Sequence, residues 1–132
     1  MYRVTLVTAV ALLMLGCRSL TSSSLSVPHG VWGGDHVALV VTSEGAQVNF
    51  DCGHGTVDEA LTLDSQEQFD VKGSFTPEGG PTPASEQSRP ARYSGRLQGT
   101  SMTLSVTLTD TSQMVGSFAL ALGRPPSLVK CQ

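Results

Sequence analysis

The chain has 132 residues, with 8 Lys or Arg against 11 Asp or Glu, a net charge of −3 when the histidines are neutral, and 14% charged residues. That balance offers no basic face to nucleic acid, the composition is unlike that of a charge-rich disordered chain, and the length suits one domain with a modest core. In chain order the first element is a leader: Met1-Tyr2-Arg3 is a short basic start, and residues 4–15 form a twelve-residue apolar run closed by Gly16 and Cys17. Crossing the hydrocarbon core takes roughly 20 apolar residues, so this run reads as the core of a secretory signal rather than a membrane span.

Leu13-Met14-Leu15-Gly16-Cys17 resembles the cleavage and lipidation site of bacterial lipoprotein precursors, with Met14 and Leu15 standing where that family usually has leucine and a small or β-branched residue. The resemblance implies that residues 1–16 are removed and that Cys17 carries diacylglycerol and an acylated amino end. Residues 17–28 then follow as a lipidated, serine-rich, flexible tether, and residues 29–132 as a single β domain. By resemblance to the sorting rule of Gram-negative lipoproteins, Arg18, which is not aspartate, implies the periplasmic face of the outer membrane if the host is Gram-negative. Removing residues 1–16 takes away Arg3 alone, which leaves a charge of 7 − 11 = −4.

With Cys17 assigned to lipid, Cys52 and Cys131 remain, in a compartment where disulfides persist. A bridge between them would close a loop of nearly eighty residues and stabilise the fold by roughly 4 kcal/mol in the chain-entropy model. The rival reading is two free thiols whose strands never meet.

The β domain is written in period two. Met102, Leu104, Val106 and Leu108 alternate with Thr103, Ser105, Thr107 and Thr109, whereas helical spacing would bring 102, 105, 106 and 109 together as a mixed face. The same pattern predicts strands at Val31-Trp32, at Val37, Leu39 and Val41, at Val48, Phe50 and Cys52, and at Leu61 and Leu63. It continues at Phe69, Val71 and Phe75, at Tyr93 and Leu97, and at Phe118, Leu120 and Leu122. Short polar turns at 43–45, 64–66, 98–100 and 110–112 suit hairpins. The expected fold is all-β: an antiparallel up-and-down meander of about seven or eight strands, forming a small barrel or a strongly curled sheet. Residues 77–90, with four prolines and the pair Gly79-Gly80, read as a long disordered loop.

Gly30-Val31-Trp32-Gly33-Gly34 resembles the opening of lipocalins and related calycin barrels, which implies that Trp32 closes the barrel floor and that Arg124 lies across its ring in a cation-π contact. The alternative is a plain core tryptophan. Arg92 and Arg96 alternate with Tyr93, Gly95 and Leu97, so both point outward and are candidates for an anionic sugar, lipid head group or acidic partner; the alternative is a solvated face beside Glu78 and Glu86. In Asp51-Cys52-Gly53-His54-Gly55 a thiolate and an imidazole could share copper or zinc. A bridged Cys52 would preclude that, and the two glycines would then serve a tight turn after a strand. No metal and no cofactor are therefore expected.

No nucleophile elbow, zinc-protease helix or phosphate loop is present, so no catalytic residue is expected. The body, from the GVWGG opening through FDCGHGT and ARYSG to the closing LVKC, resembles short bacterial envelope proteins and brings no activity with it. The expected function is a non-catalytic binding or structural domain. It would be held to the membrane by its lipid anchor, with an envelope protein or glycan as partner and no nucleic acid. A barrel carrying a small molecule is the main alternative, and a copper or zinc protein a lesser one.

Overall fold

The computed structural model describes residue 16, residues 25–80 and residues 87–131. Residues 1–15 of the leader, Cys17, most of the tether and residues 81–86 of the long loop lie outside the described residues. Eight strands follow one another: β1 (Gly30–Gly34), β2 (Val37–Val41), β3 (Ala46–Phe50), β4 (Gly53–Val57), β5 (Gln68–Pro77), β6 (Arg89–Gln98), β7 (Ser101–Leu108) and β8 (Met114–Leu122). Each pairs antiparallel with the next, and β8 returns to β1, so the sheet closes into a small barrel with no helix among the described residues.

Alternation places one set of side chains inside. Met102, Leu104, Val106 and Leu108 of β7 are buried, and they meet Leu39, Val48, Phe69, Val71, Tyr93 and Leu120 from the other strands in one core. Fully burying such a side chain contributes roughly 1.5–3 kcal/mol, and a one-residue slip in any strand would turn the whole set toward water. Gly99, in the left-handed region at φ 61°, supplies the backbone geometry of the two-residue turn that joins Gln98 to Ser101.

The strand boundaries depart from the expected ones in four places, each for a packing reason. Leu61 and Leu63 form no strand; Thr62 makes a single bridge to Ser26, and buried Leu61 caps the barrel end beside buried Val27. The last residues assigned to the tether, Ser26 to Pro28, therefore belong to the fold: the Val27 amide donates to the Leu61 carbonyl at 2.9 Å. Cys52 sits in the turn with Asp51, and Gly53 to Val57, taken partly as a turn, are strand β4. Pro77 and Arg89-Pro90, assigned to the long loop, are the ends of β5 and β6.

Glycine in β4 serves close approach rather than turning. A Cβ on Gly55 would stand 2.0 Å from the Tyr93 hydroxyl oxygen, and one on Gly53 would stand 2.6 Å from the Phe75 ring. The two large rings fill the space that the missing side chains leave.

The connectivity gives the barrel two unlike ends. The turns after β2, β4 and β6 share one end with the start of β1, and Val27 and Leu61 plug it. The turns after β1, β3, β5 and β7 share the other, where Phe50, Phe75 and Phe118 gather.

Candidate functional site

The Cys52–Cys131 disulfide is present, with Cα atoms 5.0 Å apart. It fastens a C-terminal strap, residues 124–131, across the rim at the far end. Ser127 bridges Asp35 in parallel, its amide donating to the Gly34 carbonyl and its carbonyl accepting from the His36 amide at 2.7 Å. The Val129 amide donates to Asp51 Oδ1 at 2.8 Å, and the Cys131 amide to the Asp51 carbonyl at 2.9 Å. Lys130 Nζ donates to the Phe50 carbonyl at 2.8 Å and to Glu78 Oε2 at 3.0 Å.

Two histidine–carboxylate pairs flank the bridge. His36 Nδ1 lies 2.6 Å from Asp51 Oδ2, and His54 Nδ1 lies 2.6 Å from Glu78 Oε1. Adjacent hydrogen-bond donors favour an ionised carboxylate. The Val129 amide foremost, with His36, holds the Asp51 carboxyl below its ordinary value. Lys130 foremost, then His54, does the same for Glu78. Among the described residues, no cluster of three or more His, Cys, Asp or Glu is arranged to hold a metal ion.

Trp32 is fully buried, pairs in register with Leu39 and Leu122, and donates from Nε1 to the Pro28 carbonyl at 3.0 Å. The Arg124 guanidinium lies on Asp35, 2.9 Å from its Oδ1, so an ion pair occupies the group assigned above to the Trp32 ring. Arg92 and Arg96 both point outward. Arg92 pairs with Asp70 across β5 and Arg89 with Asp110; the expected neighbour Glu78 pairs instead with Lys130 and His54, and Glu86 lies outside the described residues. Arg96 makes no ion pair among the described residues.

That cation stands where two surface grooves meet. One groove, of about 660 Å³, runs past Thr62, Asp64, Gln68, Ser94 and Ser105. The other, of about 280 Å³, continues past Gln98, Ser101 and Ala119 to Arg124. Arg96 and Thr103, partners in the β6–β7 register, line both. The result is a track with hydroxyl, amide and carboxylate groups, Asp64 and Asp70 among them, along the first groove and mainly apolar groups along the second, with Arg96 between the two and Arg124 at the far end. Inside the barrel the positions are taken by large side chains, Trp32, Tyr93 and Leu104 among the most buried. Burial foremost, with nearby Asp58, pushes the Tyr93 hydroxyl above its ordinary range. That neutral hydroxyl donates to the Ser74 carbonyl at 2.7 Å.

Comparison with protein-family models, with curated proteins and with solved structures finds no match to this chain. The geometry therefore stands alone. The structure brings Arg96 and Arg124 to one groove and leaves Arg92 two outward positions away along β6, tied to Asp70. Sequence reasoning missed the strap and both histidine–carboxylate pairs. Their partners are 15 and 24 residues apart, so only the hairpin tips bring them together. The one local signal was Cys131, whose bridge to Cys52 had to carry the strap across the rim.

Proposed function

We propose that the chain is a lipoprotein of the bacterial cell envelope, anchored through Cys17 and, in a Gram-negative host, held at the periplasmic face of the outer membrane. Its β domain is non-catalytic and binds an envelope protein or glycan on its outer surface. One observation carries the binding part: large side chains occupy the interior, while an outward cation, Arg96, stands at the junction of two surface grooves, the first of them lined by hydroxyl and amide groups. A ligand with a carboxylate and several hydroxyl or amide groups would satisfy that track through charge-assisted and neutral hydrogen bonds.

The test is photocrosslinking in the native envelope from a reactive residue placed at Thr103, compared with the same residue at Thr56 on β4. Capture of one defined protein or glycan from position 103, abolished by Arg96→Glu, is the expected result. Capture of lipid alone would defeat the surface-binding reading. In the same cells, Cys17→Ser should release the chain from the membrane fraction and remove metabolically incorporated acyl label. Retention of both would defeat the anchoring reading.

A further inference from the structure

Three phenylalanines from three strands, β3, β5 and β8, meet at the strap end of the barrel. The ring of Phe50 is the middle one, with the Phe75 and Phe118 centroids 5.7 and 5.1 Å away. Glycine makes room for both outer rings: as Gly53 does for Phe75, so Gly116 does for Phe118, where a Cβ would stand 2.8 Å from the ring. Together with Val115 and His36 the rings line a pocket of about 230 Å³, which exceeds the roughly 150 Å³ that binds benzene in an engineered apolar cavity. The strap does not fill it: no residue from 124 to 131 lines the pocket, and Val129 stays 70% exposed.

His36 brings a polar group to this apolar wall. It is the second residue of the two-residue turn between Gly34 and Val37 and has φ 69°, in the left-handed region that favours glycine and that other residues occupy when their surroundings hold them there. Two contacts hold it: its amide donates to the Ser127 carbonyl at 2.7 Å, and its Nδ1 lies 2.6 Å from Asp51 Oδ2. The Asp51 carboxyl, held low by the Val129 amide foremost, is the acceptor of that second bond. Nδ1 therefore carries the proton of the neutral imidazole, which leaves Nε2 as an acceptor. No hydrogen bond among the described residues uses Nε2.

We propose that this pocket binds a small free phenol, its ring against Phe50, Phe75 and Phe118 and its hydroxyl donating to His36 Nε2. Each part of the ligand answers a feature of the site. An aromatic ring gains the offset or edge-on stacking that the phenylalanines offer. The volume suits one ring with one or two small substituents, short of the roughly 300–1,000 Å³ of a drug-sized site. A neutral hydroxyl matches the acceptor, whereas an anionic head would meet the Asp51 carboxylate, which also lines the pocket. The site shares no lining residue with the grooves around Arg96, so it depends on neither the surface-binding nor the anchoring reading.

The test titrates the intact, isotopically labelled chain at about pH 8 with p-cresol and, separately, with toluene, each to about 5 mM. Intermolecular NOEs from p-cresol to the rings of Phe50, Phe75 and Phe118 are expected, with a Kd of about 1 mM or below. Toluene should bind about threefold or more weakly, since it lacks the hydroxyl. His36→Gly removes the imidazole at a position whose φ glycine adopts freely. It should erase the preference for p-cresol and leave the toluene affinity within about twofold. If that variant does not fold, the NOEs and the ratio of the two affinities in the parent chain decide. No NOE to the three rings, NOEs confined to other residues, or equal binding of the two ligands overturns the proposal. An equal loss of both ligands in His36→Gly also overturns it, because the imidazole would then only shape the pocket. Tighter binding of a capped tyrosine amide than of p-cresol overturns it in favour of a tyrosine side chain on a partner protein.

Discussion

At the residue scale, the carboxylates of the far rim are the groups most sensitive to their surroundings. Asp51 accepts from the Val129 amide and His36, and Glu78 from Lys130 and His54. Folding lowers both values, so the stability they contribute is fully present above the ordinary carboxylate range near about 4. It is lost as pH falls through the depressed values. Denaturation midpoints measured from pH 7 downward should therefore be flat until about pH 4 and then decline. The double variant Asp51→Asn, Glu78→Gln should be less stable at pH 7 and decline less steeply. An unchanged slope would show that these pairs add nothing to the fold, as many exposed ion pairs do not.

The elements differ in how independently they stand. β5, β6 and β7 run eight to ten residues each and pair along nearly their whole length. The seam between β1 and β8 spans three register pairs and has the strap beside it: Gly33 faces the Arg124 carbonyl so closely that a Cβ there would lie 1.9 Å from its oxygen. The disulfide thus constrains the weakest closure in the sheet. Cys131→Ser should cost about 2–5 kcal/mol, the usual range for a native bridge in a small secreted domain, measured by urea denaturation of the oxidised parent against the variant. Amide exchange should accelerate first at β1 and the strap while β6 and β7 keep most of their protection. Uniform acceleration in every strand would mean that the bridge acts only on the unfolded chain.

For the whole molecule, the decisive property is that the barrel is filled. Trp32, Tyr93, Phe69 and Leu104 occupy the inside, and Phe50 packs against Phe75 and Phe118 with ring centroids 5.7 and 5.1 Å apart. A core packed at protein-interior density leaves no room for a guest without rearrangement. An environment-sensitive apolar dye should therefore show no saturable enhancement with the native chain at neutral pH. Saturable binding quenched by Trp32 would instead favour the small-molecule carrier. The two ends differ: one is plugged where the N-terminal segment enters, and the other presents the strap and the aromatic mouth.

Period-two alternation by itself determined the all-β class and the inward set of residues, because an uninterrupted run such as Met102 to Leu108 can bury one face in only one way, and the short polar turns between runs determined the antiparallel meander. The outward direction of Arg92 and Arg96 followed from the same arithmetic, whereas the pairing of Cys52 with Cys131 was expected only on the assignment of Cys17 to lipid. What alternation and turns do not encode is the register between strands and the closure of β8 on β1. β4 was hidden because Gly53 and Gly55 carry no side chain to mark an inward face; their meaning came only with the rings of Phe75 and Tyr93 above them. The ion pairs of Arg92 with Asp70 and Arg124 with Asp35 and the groove around Arg96 all depend on register between distant segments. Only closure of the barrel sets that register, through the match of strand lengths around the sheet and the short reach of β1.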